Sequence, residues 1–197
     1  MTNRQPRIEP LPQEEWTDAA REVFAFWEGE EARQNGSKSN TMMTLANHPK
    51  LAVPLMGFGK HILVHSTMTP RQKELIVLRI AWAYGCEYEW AHHVHSGRQI
   101  GLIDSEFAAL QVEDASSLWS AEDQALIGAT DQLCREGRID ESAWGALAAF
   151  MNRHELMDFL YTVGFFRMNA TAFRAMGIQL EPGFEEFSKP AREMVAE

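Results

Sequence analysis

The stretch GCEYEWAHHVH, residues 85–95, brings one cysteine, two glutamates and three histidines into eleven positions. Gly85 precedes this group, and helical spacing continues after it until Gly101, a residue type that commonly follows the last turn of a helix. The stretch therefore predicts a polar helix that starts near Cys86. Its side chains are compatible with a metal site, a thiol redox site, a proton-transfer site, or a polar helix with no chemical role.

Helical geometry sorts these side chains into two groups. At about 100° per residue, Cys86, Glu89 and His93 share one stripe of the predicted helix. His92 and His95 point to the other side, where we expect solvated or interface residues. Because zinc and iron sites need ligands that converge with defined spacing, such as two histidines four positions apart, the pattern disfavours a metal site. We predict neither a metal nor a cofactor.

The preceding segment carries a clear helix start at TPRQ, residues 69–72. Threonine can cap the helix, proline fits its first position, and glutamine completes a capping box. This pattern predicts a helix from Pro70 to about Tyr84, with Glu74 on the same stripe as apolar residues. A carboxylate in such surroundings is costly to bury without a partner, so Glu74 is either exposed near the helix start or paired within a site.

The rest of the chain also shows helical spacing. Residues 14–32 predict one amphipathic helix, residues 33–41 predict a loop or a mobile lid, and residues 48–65 predict a helix with Pro54 in its first turn. No alternation typical of strands occurs, so the predicted class is all-α. Four further helices are predicted within residues 103–110, 120–137, 140–153 and 154–177.

Composition limits the kind of protein. With 197 residues, of which 45% are hydrophobic, the chain is long enough for one core, and we predict a single domain over residues 1–197. The formal net charge of -10 opposes binding to nucleic acid and to anionic membranes. The N-terminal sequence has no apolar signal segment, which predicts a cytoplasmic protein. In a reducing compartment Cys86 and Cys134 are expected to remain thiols.

The spacing of Glu74, Cys86, Glu89 and His93 resembles the signature of the carboxymuconolactone decarboxylase and alkylhydroperoxidase D-like superfamily. In the hydroperoxidase branch that signature is a Glu, a Cys-x-x-Cys pair and a His, so Glu89 stands here in place of the second cysteine. The sequence EYEWAHHVHSGRQIGL is similar to the corresponding sequence of the YEW-x-x-H subgroup of this superfamily. The resemblance extends from about residue 7 to residue 182, with a core motif at about 45–130. It implies an alkylhydroperoxidase D-like helical fold assembled as a homodimer, trimer or hexamer.

The resemblance also implies roles for the matched residues. In the hydroperoxidase branch two cysteines cycle between dithiol and disulfide, while the Glu and the His relay protons. Because Glu89 replaces one cysteine, that cycle cannot run within this site. By this resemblance, Glu74 and His93 correspond to the two residues of the proton relay. Cys86 corresponds to one of the two cysteines and provides a single thiol.

Three functions therefore stay open at this point. The first is cofactor-free proton transfer on a small organic acid or lactone, in decarboxylation, isomerisation or hydration, with His93 and Glu89 as acid–base groups and Glu74 orienting His93. The second is a peroxidase that uses Cys86 alone and an external thiol. The third is a non-catalytic oligomer or small-ligand binder. Aromatic residues near the motif, Trp82, Tyr88 and Trp90, are candidates for the pocket walls.

Overall fold

The computed structural model describes residues 5–112 and 116–188. Within these ranges the chain forms ten α-helices and no β-strand, which confirms the all-α prediction. Residues 1–4, 113–115 and 189–197, which the single-domain prediction includes, lie outside the described residues. None of the described helices is both long enough and apolar enough to cross a bilayer. The helices are α1 (Asp18–Glu28), α2 (Glu30–Asn35), α3 (Asn40–Leu45), α4 (Pro49–Lys60), α5 (Pro70–Ala83), α6 (Glu87–Gln99), α7 (Asp104–Leu110), α8 (Ala121–Glu136), α9 (Glu141–Ala148) and α10 (Arg153–Met176).

Helix α5 lies at the centre, against α6, α8 and α10. Its start is fixed as predicted, since the Gln72 amide N–H donates to Thr69 Oγ1 (3.2 Å) and the Thr69 amide N–H donates to Gln72 Oε1 (2.9 Å). A cap of this kind stabilises a helix by about 1 kcal/mol. Seven consecutive residues of α5, 75–81, are buried. The helix is therefore a rigid support for the polar residues that it carries.

The junction between α5 and α6 is a tight turn. Gly85 has a φ of 58°, in the left-handed region that glycine adopts without strain, and the Cys86 amide N–H donates to the Ala81 carbonyl at 2.8 Å. Cys86 itself is extended, with φ -88° and ψ 90°, and occupies the N-cap position of α6 without a side-chain capping hydrogen bond. The helix that was predicted to start near Cys86 thus starts at Glu87.

The longest helix, α10, packs across α5 and ends at Gly177, which has a φ of 74°. Its start carries a capping box between Asn152 and Glu155. The main core is formed by α5, α6, α8 and α10, and a second cluster of buried residues joins α1, α3 and α4. Phe24 and Met56 belong to this second cluster, and side chains of α1, α3 and α4 line one cavity together with side chains of α6 and α10.

Three local predictions are wrong. The helix expected over residues 14–32 is interrupted at Gly29, whose φ of 77° separates α1 from α2. The loop expected over residues 33–41 shrinks to residues 36–39, since its two ends belong to α2 and α3. Helix α4 starts at Pro49, so Pro54 lies in its interior, where it is exposed to solvent. A π-helical turn, His61–His65, then continues α4.

Candidate active site

Two glutamates hold the imidazole of His93 between them. Glu74 Oε2, from α5, lies 2.8 Å from His93 Nδ1, and Glu89 Oε2, one turn before His93 on α6, lies 3.4 Å from Nε2. All three side chains are largely buried, with 14%, 7% and 12% of the side chains of Glu74, Glu89 and His93 exposed. The ring of Phe166 on α10 packs edge-on against the imidazole, 5.3 Å between ring centroids. The arrangement fixes both the position and the tilt of His93.

The protonation state of His93 follows from these neighbours. Burial lowers the pKa of His93, but the carboxylates of Glu74 and Glu89 outweigh burial and raise it to about 10. At neutral pH the ring is therefore an imidazolium that is hydrogen-bonded to Glu74 and ion-paired with Glu89.

Glu89 and His93 form part of the wall of a cavity of about 320 Å³. The cavity lies between α6, α10, α4 and the start of α3, and most of its surface is apolar. Among the described residues that line it, none is Lys or Arg. Such a space suits a small uncharged molecule that presents a polar group to one wall. The apolar part of the lining includes Leu45, Leu55, Met56, Leu63, Phe165 and Phe166.

Cys86 does not join this cavity, contrary to the prediction that it shares a stripe with Glu89 and His93. The periodicity argument assumed a helical Cys86, but the residue is extended and its side chain lines a second cavity, of about 600 Å³, beside Tyr84 and Arg174. Only 1% of Cys86 is exposed, and burial raises the pKa of its thiol to about 12. The thiol is therefore protonated at neutral pH.

Of the three aromatic residues predicted to line the pocket, one lies at this cavity. Tyr88 lines it, whereas Trp82 and Trp90 lie beside each other, 5.6 Å between ring centroids, outside its lining. Trp82 is partly exposed and Trp90 is buried. Trp27 of α1 also lines the cavity, which the sequence pattern did not predict.

His92, for which we expected a solvated or interface position, is 29% exposed in its side chain, lines the cavity and contacts the C-terminal segment 178–188. Its Nε2 lies 2.7 Å from Glu181 Oε2, and its ring stacks on Phe184 at 4.1 Å. Glu181 Oε1 also accepts hydrogen bonds from the Tyr88 hydroxyl (2.7 Å) and the Asn40 amide (2.6 Å). Burial opposes the charge of Glu181, but these donors outweigh it and lower the pKa of its carboxyl. His95 packs edge-on against the same aromatic residues, Phe184 and Phe187.

Sequence reasoning missed Glu181 because it lies about ninety positions from Tyr88 and His92, and no local spacing connects them. The other cysteine, Cys134, is partly buried on α8, where burial raises the pKa of its thiol to about 11. Neither cysteine forms a disulfide. Within residues 5–112 and 116–188 no group of three or more His, Cys, Asp or Glu side chains is arranged to hold a metal ion.

The helical arrangement is similar to that of several solved structures. An uncharacterized peroxidase-related protein from Silicibacter sp. TM1040 is 15% identical, with 96% of this chain and 99% of that chain covered and a TM-score of 0.77. A peroxidase-related protein from Ralstonia eutropha JMP134, described as an alkylhydroperoxidase AhpD core, is 17% identical, with 96% and 98% covered and a TM-score of 0.74. The debrominase Bmp8 is 19% identical, with 93% and 97% covered and a TM-score of 0.74. These structures define the class of the fold as alkylhydroperoxidase D-like, as predicted.

The sequence itself also matches a family model over part of its length. Residues 49–132, which contain α5, α6 and the Glu74, Glu89 and His93 cluster, match the family model described as the carboxymuconolactone decarboxylase family. This part of the chain is therefore similar to that family, in agreement with the resemblance predicted from the sequence. The comparison with curated protein sequences gives no match.

Proposed function

We propose that this protein is a cofactor-free enzyme that transfers a proton at a carbon next to the carbonyl group of a small, uncharged molecule. The observation that carries the proposal is the line of three side chains in which Glu74 is hydrogen-bonded to His93 and His93 is ion-paired at 3.4 Å with Glu89, at the wall of an apolar cavity. Groups of this kind commonly accelerate proton transfer by about two to four orders of magnitude.

In the proposed step Glu89 is the base. Its carboxylate takes the proton from the carbon, the C–H bond electrons form a C=C bond to the carbonyl carbon, and the C=O π electrons move to the oxygen as an enolate forms. The new Glu89 carboxylic acid then returns the proton to the same carbon. Where the substrate has a C=C bond next to that carbon, a dienolate forms, and return of the proton to its far end completes an isomerisation, with no electron lost or gained. His93 is already protonated, so its role is to stabilise the negative charge of the ionised Glu89, while Glu74 holds the ring in place.

The charge of the cavity narrows the substrate class. The lining includes Glu28, Glu89 and the imidazolium of His93, whose charge Glu74 and Glu89 already pair, and no Lys or Arg of the described lining is present to neutralise an acid. A negatively charged substrate would be repelled in surroundings of low polarity, where charges interact strongly. We therefore favour a neutral ketone or lactone over the small organic acid considered from the sequence.

The surroundings of Cys86 do not support the peroxidase alternative. A thiolate is the reactive form of cysteine, and burial favours the protonated thiol at Cys86. A disulfide between Cys86 and Cys134 is also unsupported, since Cys134 lies on α8 and burial raises the pKa of its thiol as well. Proton transfer needs neither of these groups.

A related fold with a small bound ring supports the choice of ligand size. A variant of the debrominase Bmp8, 18% identical over 91% of this chain and 94% of that chain with a TM-score of 0.72, was crystallised in complex with 2,3,4-tribromopyrrole. That ring is small and compact. A cavity of about 320 Å³ in this chain has room for a molecule of similar or somewhat larger size.

Assembly as a homo-oligomer stays a prediction. Several large apolar side chains are exposed on α10 and around the π-helical turn, which is the kind of surface that subunits bury between copies. They include Phe58, Val64, Met157, Tyr161 and Met168.

The proposal predicts that the protein exchanges carbon-bound protons for solvent deuterium. A set of neutral ketones and lactones is incubated with the protein in D₂O, and loss of the signal from the protons next to the carbonyl is followed by ¹H NMR. We expect protein-dependent exchange for at least one small, mainly apolar member of the set and none for the matching carboxylic acids. Exchange of acids alone, or no exchange across the whole set, would contradict the proposal.

A further inference from the structure

The side chain of Asn169 on α10 is a buried polar group with no partner. The residue is 7% exposed, and its carboxamide makes no hydrogen bond to any described residue. It lines the apolar cavity together with Glu89 and His93. The carboxamide has two N–H donors and one acceptor oxygen, which are free to bind a ligand or water in the cavity because no described residue pairs with them.

The neighbours of Asn169 on α10 show where it points. Phe166, three positions earlier, packs edge-on against the ring of His93 at 5.3 Å, and Phe173, four positions later, packs edge-on against Tyr88 at 5.9 Å. Residues three and four positions apart share one face of a helix. Asn169 therefore faces α6 between these two contacts, on the level of Glu89.

An unpaired buried amide is costly in a folded protein. The great majority of buried polar side chains have a hydrogen-bond partner, and one that lacks a partner loses the free energy of its hydration without compensation. An apolar residue of similar size, such as leucine, would fill this position on α10 without that cost. The cost is offset when a water molecule or a ligand in the cavity provides the missing hydrogen bond.

We infer that Asn169 is a specificity-determining residue of the cavity, whose N–H donates a hydrogen bond to the carbonyl oxygen of the bound molecule. This places the carbonyl oxygen at α10 and the neighbouring carbon toward Glu89 on α6. The inference rests on the proposed function for the identity of the reacting group. It extends that function by assigning the residue that selects carbonyl compounds over hydrocarbons of the same shape.

The same hydrogen bond would also contribute to the reaction. When Glu89 removes the proton, negative charge develops on the carbonyl oxygen, and a donor already directed at that oxygen interacts more strongly with the enolate than with the ketone. Asn169 carries no charge, so it provides this interaction without attracting acids into the cavity. Glu89 and Asn169 would thus act on opposite ends of the same C–C–O unit.

Two fluorinated probes of nearly equal shape test the inference by ¹⁹F NMR. One is 4′-fluoroacetophenone, and the other is 1-ethyl-4-fluorobenzene, which lacks only the carbonyl oxygen. We expect the wild-type protein to bind the ketone about five- to tenfold more tightly, as one hydrogen bond allows. In Asn169→Leu the two dissociation constants should become equal within about twofold, through weaker binding of the ketone.

Two further variants keep the result interpretable. Asn169→Asp has nearly the same shape but, when ionised, cannot donate to a carbonyl, so it should lose the ketone preference even if Asn169→Leu folds poorly. Thr171→Val lies on the same helix outside this cavity, where its hydroxyl donates to the Arg167 carbonyl, and should keep the preference. A preference that persists in both Asn169 variants, or wild-type protein that binds neither probe or binds both equally, overturns the inference.

Deuterium exchange in the same samples separates this inference from the proposed function. If Asn169→Leu abolishes the ketone preference but the wild-type protein introduces no deuterium into the methyl group of the ketone, Asn169 has its assigned role and the proposed reaction is wrong. If the wild-type protein exchanges that methyl group while Asn169→Leu keeps the preference and the exchange rate, the reaction stands and the role of Asn169 is refuted.

Discussion

Replacing Glu89 by Gln is expected to slow deuterium exchange on a responsive ketone or lactone by about two to four orders of magnitude. Glutamine has the size of glutamate and can still contact His93, but it cannot accept a proton from carbon near neutral pH. His93→Gln should cause a loss in the same range, because the imidazolium that stabilises the charge at Glu89 is then absent. Both rates are measured by ¹H NMR in D₂O under conditions in which the wild-type rate is linear in protein concentration.

Cys86→Ser is the matched control for these variants, because it lies at the start of the same helix but lines the other cavity. It should retain most of the exchange rate. If Cys86→Ser abolishes exchange while Glu89→Gln keeps it, the roles assigned to these two residues are wrong, and thiol chemistry becomes the better account. A melting curve for each variant distinguishes loss of chemistry from loss of the folded state.

The stability of the protein is expected to fall as the pH rises from about 6.5 to 9, by roughly 1 kcal/mol per pH unit from His93 alone. The pKa of His93 is raised from 6.5 to about 10 in the folded protein, so over this range the folded state binds more protons than the unfolded state. The stabilisation is fully present below pH 6.5 and is lost as the pH approaches 10. The measurement is urea unfolding, followed by circular dichroism, at half-unit pH steps.

The pH range of this prediction ends at pH 9. Above it, the thiol of Cys86 and the hydroxyl of Tyr88, whose pKa values are also raised in the folded protein, add a further loss of stability. His93→Gln should remove most of the slope between pH 6.5 and 9. His154→Gln, at an exposed position on α10, should leave the slope unchanged. An equal slope in wild-type protein and His93→Gln would show that His93 does not carry the linkage.

Much of the helical architecture could be predicted from the sequence because it depends on local signals. The start of α5 is fixed by contacts among Thr69, Pro70 and Gln72, and the ends of α8 and α10 by the left-handed glycines Gly137 and Gly177. The pairing of Glu74 with His93 was also accessible, since both lie on adjoining helices with a short connection. The break at Gly29 was missed because the glycine lies between the apolar spacing of residues 16–27 and a short polar segment that is also helical, residues 30–35.

The composition of the site depended on long-range packing and could be predicted only in part. Helical periodicity placed Cys86 on the same stripe as His93. Helix α6 starts only at the next residue, however, and Cys86 itself is extended. Asn169 and Glu181 reach the site from α10 and from the C-terminal segment, and neither has a spacing relation to the motif on α6. The cavity itself forms where the two hydrophobic clusters meet, which no single segment of the chain determines.

The charge of His93 is the premise of the proposed mechanism, and ¹⁵N NMR of the imidazole measures it directly. Histidine labelled with ¹⁵N is incorporated, and His93 is assigned by comparison with His93→Gln. We predict the ¹⁵N shifts of a doubly protonated ring at pH 8, a titration near pH 10, and a lower pKa in Glu74→Gln. A neutral His93 ring at pH 8 in the wild-type protein would contradict the account.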